Sequence, residues 1–197
     1  MDKYHVTLTF TEPLLGTVAL NKELYGDYIA SKAPEGTDTS DELETVEEMV
    51  EKGTTGFHRL DDGTPILYDY VIKGFFKDAC GMLARAPESG SKKLRAYRKV
   101  IDGLVFVAPR RIPIALNGGE IGILERPLRA STPQGERVAL ARSETAPEGS
   151  SIAFDVLILG QVTENLLREW LEYGALRGLG QWRNASYGRF VHELSKA

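Results

Sequence analysis

Between Gly178 and Phe190, thirteen residues hold three glycines, two arginines and three aromatics. Arg183 and Arg189 each offer a planar fork of donors suited to phosphate. Trp182 and Tyr187 offer faces on which a nucleobase can stack. The glycines admit positive φ and let a second backbone come close. Such a loop cradles a nucleic-acid backbone; the same composition also makes a tight helix-to-strand turn with solvated arginines. A second basic group is Lys92, Lys93, Arg95, Arg98 and Lys99, five bases in eight residues with Tyr97 interleaved. Lys73 and Lys77 lie one turn apart on a helical pattern. Between residues 53 and 63 the chain also carries His58, Arg59, Asp61 and Asp62. No His or Cys stands at metal-ligand spacing, and there is no Walker loop, Rossmann fingerprint or HExxH. No metal and no cofactor are therefore expected.

These residues need elements to hold them. Tyr4, Val6, Leu8 and Phe10 alternate with polar residues, which predicts a strand over 4–10 with His5 on its other face. Helical patterns follow at 20–32 and at 39–52, the latter with a Thr39–Glu42 capping box and Gly53 past its end. Residues 53–63 read as loop. Asp69 is placed to cap a core helix reaching Ala86, with Gly74 inside it at a cost of about 1 kcal/mol relative to alanine; close packing against a backbone is expected there. The basic cluster reads as a short helix ending near Ile101. Leu104–Val107 and 112–116 read as strand, 125–130 and 136–142 as a hairpin about the turn 132–135, and 146–149 as loop. Then come a strand at 151–159, a helix from Thr163 and a last strand at 189–194. This βαβ–βαβ order predicts an α+β, ferredoxin-like core: an antiparallel sheet with two helices on one face. Two insertions, at about 17–64 and 110–150, decorate a single domain.

The chain has 197 residues and a net charge of −4. Residues 35–51 carry eight acids and no base, which leaves the rest at about +4. The net charge argues against a generally basic nucleic-acid binder, but a mildly basic body with one acidic appendage is a different electrostatic object from a uniformly acidic one. No apolar run is long enough for a membrane span. Cys80 is the single cysteine, expected to be a buried thiol, and a cytoplasmic location is expected.

Three motifs resemble the RAMP superfamily of CRISPR-associated proteins, particularly its Cas7-like backbone subunits. Thr11-Glu12-Pro13-Leu14-Leu15-Gly16 is similar to the family's Pro-Leu-x-Gly after the first strand. Pro65 to Gly74 resembles its Pro-x-Ile-Pro-Gly-x-Ser-x-Lys-Gly helix entry and keeps Lys73-Gly74. Gly178–Phe190 resembles its late Gly- and Arg-rich loop. The match spans the chain by order and about thirty residues by motif. It departs at Tyr68-Asp69-Tyr70-Val71, where an acid stands in place of a backbone that would meet phosphate. The overall pattern also looks similar to small phage and prophage proteins.

The resemblance implies an RRM-related fold that binds single-stranded RNA in filaments of stacked subunits, with Lys73, Arg183 and Arg189 as phosphate contacts. Three readings follow. In the first, the chain is a non-catalytic, self-assembling RNA-binding module using Lys73, Lys92, Lys93, Arg183 and Arg189 on phosphates and Trp182 or Tyr187 on bases. In the second, the acidic helix 39–52 docks on a Cas or phage protein as an inhibitor or assembly subunit. In the third, the chain is an endoribonuclease using His58 with Asp61 or Asp62. The partners expected are single-stranded RNA, further copies of the chain or a Cas or phage protein, with no membrane.

Overall fold

The computed structural model describes residues 1–19, 54–132 and 135–197. The helices expected at 20–32 and 39–52, Gly53 and the middle of the turn at 132–135 lie outside the described residues. Strand β1 (Asp2–Phe10) buries Tyr4, Val6, Leu8 and Phe10 and exposes His5, as the alternation predicts. It lies between β12 (Phe190–Lys196) and β11 (Ser151–Ile158), antiparallel to both. Strands β7 (Val105–Ala108) and β8 (Arg111–Ala115) follow one another along the far side of β11. β8 then passes the sheet on to β6 (Pro65–Tyr68) and β5 (His58–Arg59).

Helices α1 (Asp69–Leu83) and α3 (Glu164–Arg177) supply the apolar residues that meet the buried side of this sheet. α1 buries Ile72, Phe75, Phe76, Ala79 and Cys80, one helical face. Thr163 caps α3 by accepting from Leu166 N at 3.3 Å, and Leu167, Trp170, Leu171 and Gly174 turn inward. Gly174 has a packing reason: a Cβ there would fall 2.0 Å from the Phe190 ring. Phe190 meets Phe10 and Phe75 edge-on, with ring centres 6.3 and 5.4 Å apart. Such pairs add about 0.5–1.5 kcal/mol each beyond their burial.

A second sheet stands beside the first. β9 (Gly122–Thr132) and β10 (Gly135–Ala146) make a long hairpin, registered from Gly135↔Thr132 to Thr145↔Gly122. β10 also pairs with β2 (Leu14–Leu15) and with β4 (Thr54–Gly56), and β4 pairs with β3 (Val18–Ala19). Part of the stretch read as loop at 53–63 is therefore strand, because β10 and β6 offer edges the sequence does not reveal. β10 likewise runs to Ala146, into the expected loop, because Leu14 pairs there.

Three helix expectations change. Tyr68 rather than Asp69 occupies the cap position, and Asp69 sits in the first turn, where a carboxylate suits the helix dipole. α1 stops at Leu83, and its end tightens through Arg85 N to Met82 O and Ala86 N to Leu83 O ahead of Pro87. The basic stretch is divided between a 3-10 turn, Gly90–Lys93, and α2 (Tyr97–Leu104). Two features divide it: Ala96 is left-handed at φ 49°, and buried Ser91 accepts from Trp170 Nε1 at 2.9 Å. Cys80 is buried, and burial pushes its thiol above the ordinary value.

His192 on β12 carries a pH dependence. Burial holds its imidazole below the ordinary 6.5, and nearby Arg168 acts the same way against the opposing Glu172. The unfolded chain therefore takes up this proton first as pH falls. Folded stability is full above about pH 6.5 and declines below it. The melting temperature is expected to drop between pH 7.5 and 5.5, and His192→Gln is expected to flatten that part of the profile. An equally steep profile in the variant would assign the drop to other groups.

Candidate nucleic-acid interface

The glycine-rich loop begins where α3 ends. Gly178 has φ +76° and Gly188 φ +68°. A Cβ on Gly178 would sit 2.3 Å from Tyr187 O, and one on Gly188 would sit 2.0 Å from Leu179 O. The two glycines thus close a neck, sealed by Leu179 N donating to Gly188 O at 2.8 Å and by the buried Leu179 side chain. The neck is stitched to the turn after β1: Gly188 N donates to Pro13 O and Thr11 N to Arg189 O. Gln181 Nε2 donates to Gly16 O and Thr55 Oγ1, which ties the loop to the second sheet.

Beyond the neck the chain arches through a short 3-10 turn, Arg183–Ala185. Trp182 takes φ +49°, a left-handed conformation that a bulky residue rarely adopts and that clusters at ligand clamps. Its ring meets Tyr187 edge-on at 6.3 Å. Arg126, on β9 of the hairpin, lies 5.4 Å from the centre of Trp182 and 5.1 Å from that of Tyr187. The cation–π attraction to both rings ties hairpin to loop.

A cleft of about 730 Å³ opens here, lined by Arg126, Pro127, Arg177, Gly180, Trp182 and Arg183 among others. Asp78 of α1 forms its electrostatic anchor. One carboxylate oxygen accepts from Arg177 Nε at 3.1 Å and from Arg183 Nη1 at 2.6 Å. Arg177 Nη1 also donates to Asn184 Oδ1 at 2.7 Å. Two of the cleft's three guanidinium groups thus meet one carboxylate, leaving a net positive cleft whose arginines keep unused donors. The site can take a phosphodiester on the guanidinium groups and a base against the rings.

Trp182, Arg183 and Tyr187 thus come together. Arg189 stands at the loop's exit, its Nε donating to Leu176 O at 3.1 Å. Lys73 faces the α1–α2 junction: its Nζ donates to Asp102 O at 3.0 Å and lies 5.4 Å from the Phe106 ring centre. Lys92 and Lys93 are exposed on their 3-10 turn, and neither lines the cleft. Gly74 is exposed, and a Cβ there would meet nothing within 4 Å, so the expected close packing has no partner among the described residues.

His58 packs edge-on against Tyr68 at 4.8 Å. Asp62 accepts from Thr64 N at 2.9 Å, and that backbone bond holds its carboxyl below the ordinary value. Asp62 thereby shapes the β5–β6 turn, and exposed Asp61 lies beside it. Among the described residues no cluster of three or more His, Cys, Asp or Glu is arranged to hold a metal.

Sequence reasoning assigned no role to Arg126, Arg177 or Asp78. Arg177 had a faint signal, a base in the last turn of a helix just before a glycine. Asp78 had none, because its partners lie 99 and 105 residues away.

No protein-family model and no curated protein matches the chain. Solved structures do share its fold. One is a chain of the cryo-EM structure of the Type III-B Cmr-beta bound to cognate target RNA, 12% identical with a TM-score of 0.54. That match covers 99% of the present chain and 61% of the other, so the protein spans about three-fifths of that relative's length. Another is a chain of the Type IV-B CRISPR complex, 11% identical with a TM-score of 0.51, covering 98% and 90% of the two chains. No described helix is long and apolar enough to cross a membrane. The likeness is one of fold: an α+β architecture with a mostly antiparallel sheet, shared with chains of CRISPR complexes.

Proposed function

We propose that this chain is a Cas7-like, RAMP-type subunit that binds single-stranded RNA within a CRISPR-type assembly. Its core is ferredoxin-like: counting only β1, β7/β8, β11 and β12, the spatial order is last, first, third, second. The observation that carries the function is the convergence of Arg126, Arg177 and Arg183 around Trp182 and Tyr187 on one strained loop. A local positive cleft with stacking rings suits a single strand despite the overall charge of −4. Phosphates lie on the arginines, a base lies against Trp182 or Tyr187, and further copies of the chain line up along the strand.

The test is binding of labelled single-stranded RNA and DNA at two salt concentrations. With three phosphate contacts, affinity is expected to fall about 20-fold between about 50 and 200 mM salt. Arg126→Gln is expected to weaken RNA binding and to reduce that salt dependence. Absence of binding at the lower salt would show that the fold is kept without the RNA function.

A further inference from the structure

We propose that the strand does not end in the loop cleft but crosses Asp78 into a second phosphate subsite between α1 and α2. This rests on the RNA reading above and extends its path. A separate cleft of about 460 Å³ lies there, lined by Lys77, Asp78, Gly81, Arg85, Tyr97 and Arg98 among others. Its chemistry repeats that of the first: three bases, one carboxylate and an aromatic ring. Arg98 lies 5.9 Å from the Tyr97 ring centre, with its Nε 3.4 Å from Tyr97 Oη. Tyr97 comes close to α1 because residue 81 is glycine; a Cβ there would sit 2.6 Å from the phenol oxygen.

Asp78 joins the two clefts. It walls the second, and its carboxylate holds Arg177 and Arg183, which wall the first. The separation between the sites is therefore one ion-paired side chain. Lys77 is engaged by Asp102 at 2.9 Å, so the bases left to meet phosphate are Arg85 and Arg98, both exposed. This placement also gives part of the basic run at 92–99 a use, since Tyr97 and Arg98 turn toward α1. Phosphodiester is the ligand chemistry, because both clefts pair guanidinium groups with an aromatic face and a single side chain, Asp78, links them.

The test compares oligoribonucleotides of about three and about ten nucleotides, lengths that bracket one and two subsites. Wild type is expected to bind the longer one more tightly. Arg85→Gln with Arg98→Gln is expected to cost about tenfold on the longer oligonucleotide, to lower the salt slope by about 0.7 per lost contact, and to leave the shorter one unaffected. Both residues are exposed, so the melting temperature serves as the folding control. Equal effects on both lengths, or on neither, overturn the second subsite. A short oligonucleotide that binds and a long one that gains nothing over it also overturns the second subsite alone, whereas failure of both to bind wild type overturns the RNA reading itself. Polyglutamate that binds more tightly than the longer RNA, and loses that in the double variant, assigns the cleft to an acidic protein surface instead.

Discussion

Gly188→Ala is expected to lower the melting temperature by about 6–12 °C, which corresponds to roughly 3 kcal/mol in a chain of this size. Two effects combine. Residue 188 has φ +68°, and the left-handed region costs a side-chain-bearing residue about 1–2 kcal/mol. The added Cβ would also stand 2.0 Å from Leu179 O. That oxygen is backbone, so relief requires the neck of the loop to open. Opening it strains the Leu179–Gly188 hydrogen bond and the one from Gly188 N to Pro13 O. Gly63→Ala is the control. Its φ is +86°, with nothing within 4 Å of the added atom, so only the conformational cost of about 1–2 kcal/mol applies. Thermal melts of the two variants separate the effects. Equal losses would show that the neck yields freely and that the close approach of the two glycines is incidental.

The core was legible in the sequence because burial imposes periodicity. Tyr4, Val6, Leu8 and Phe10 repeat every second residue, and Ile72, Phe75, Phe76 and Ala79 repeat every third or fourth, so each face announces itself. The second sheet was legible only in part. β2, β3 and β4 have two or three residues each, too short for a period, and they exist because β10 supplies an edge. The site was half legible for the same reason. Trp182, Arg183 and Tyr187 stand within six residues of one another, and their composition is informative. Arg126 and Asp78 belong to the site only through contacts across the fold, and local pattern carries no trace of those. Lys73 shows the converse. Its motif points at a phosphate, yet the Asp102 carbonyl and the Phe106 ring engage its ammonium in the folded chain.

Arg177→Gln with Arg183→Gln is expected to reduce RNA affinity on the order of 100-fold, since charge-assisted contacts contribute roughly 1.5–3 kcal/mol each before screening. The same double variant is expected to melt a few degrees lower for a separate reason. Asp78 is 26% exposed and shares one carboxylate oxygen between both guanidinium groups. Without them a half-buried charge loses its partners, at a cost of about 1–3 kcal/mol. The two losses separate when Asp78→Asn is added. The neutral triple variant no longer leaves a charge stranded, so its melting temperature is expected to recover toward wild type while RNA binding stays lost. Asp78→Asn alone runs the other way: it removes the carboxylate that pairs with Arg177 and Arg183, and RNA binding is expected to tighten a few-fold with a steeper salt dependence. If it instead weakened binding as far as the arginine variants do, Asp78 would act chiefly by aiming the two guanidinium groups. If the triple variant recovered RNA binding along with stability, the arginines would be structural and the strand would lie elsewhere.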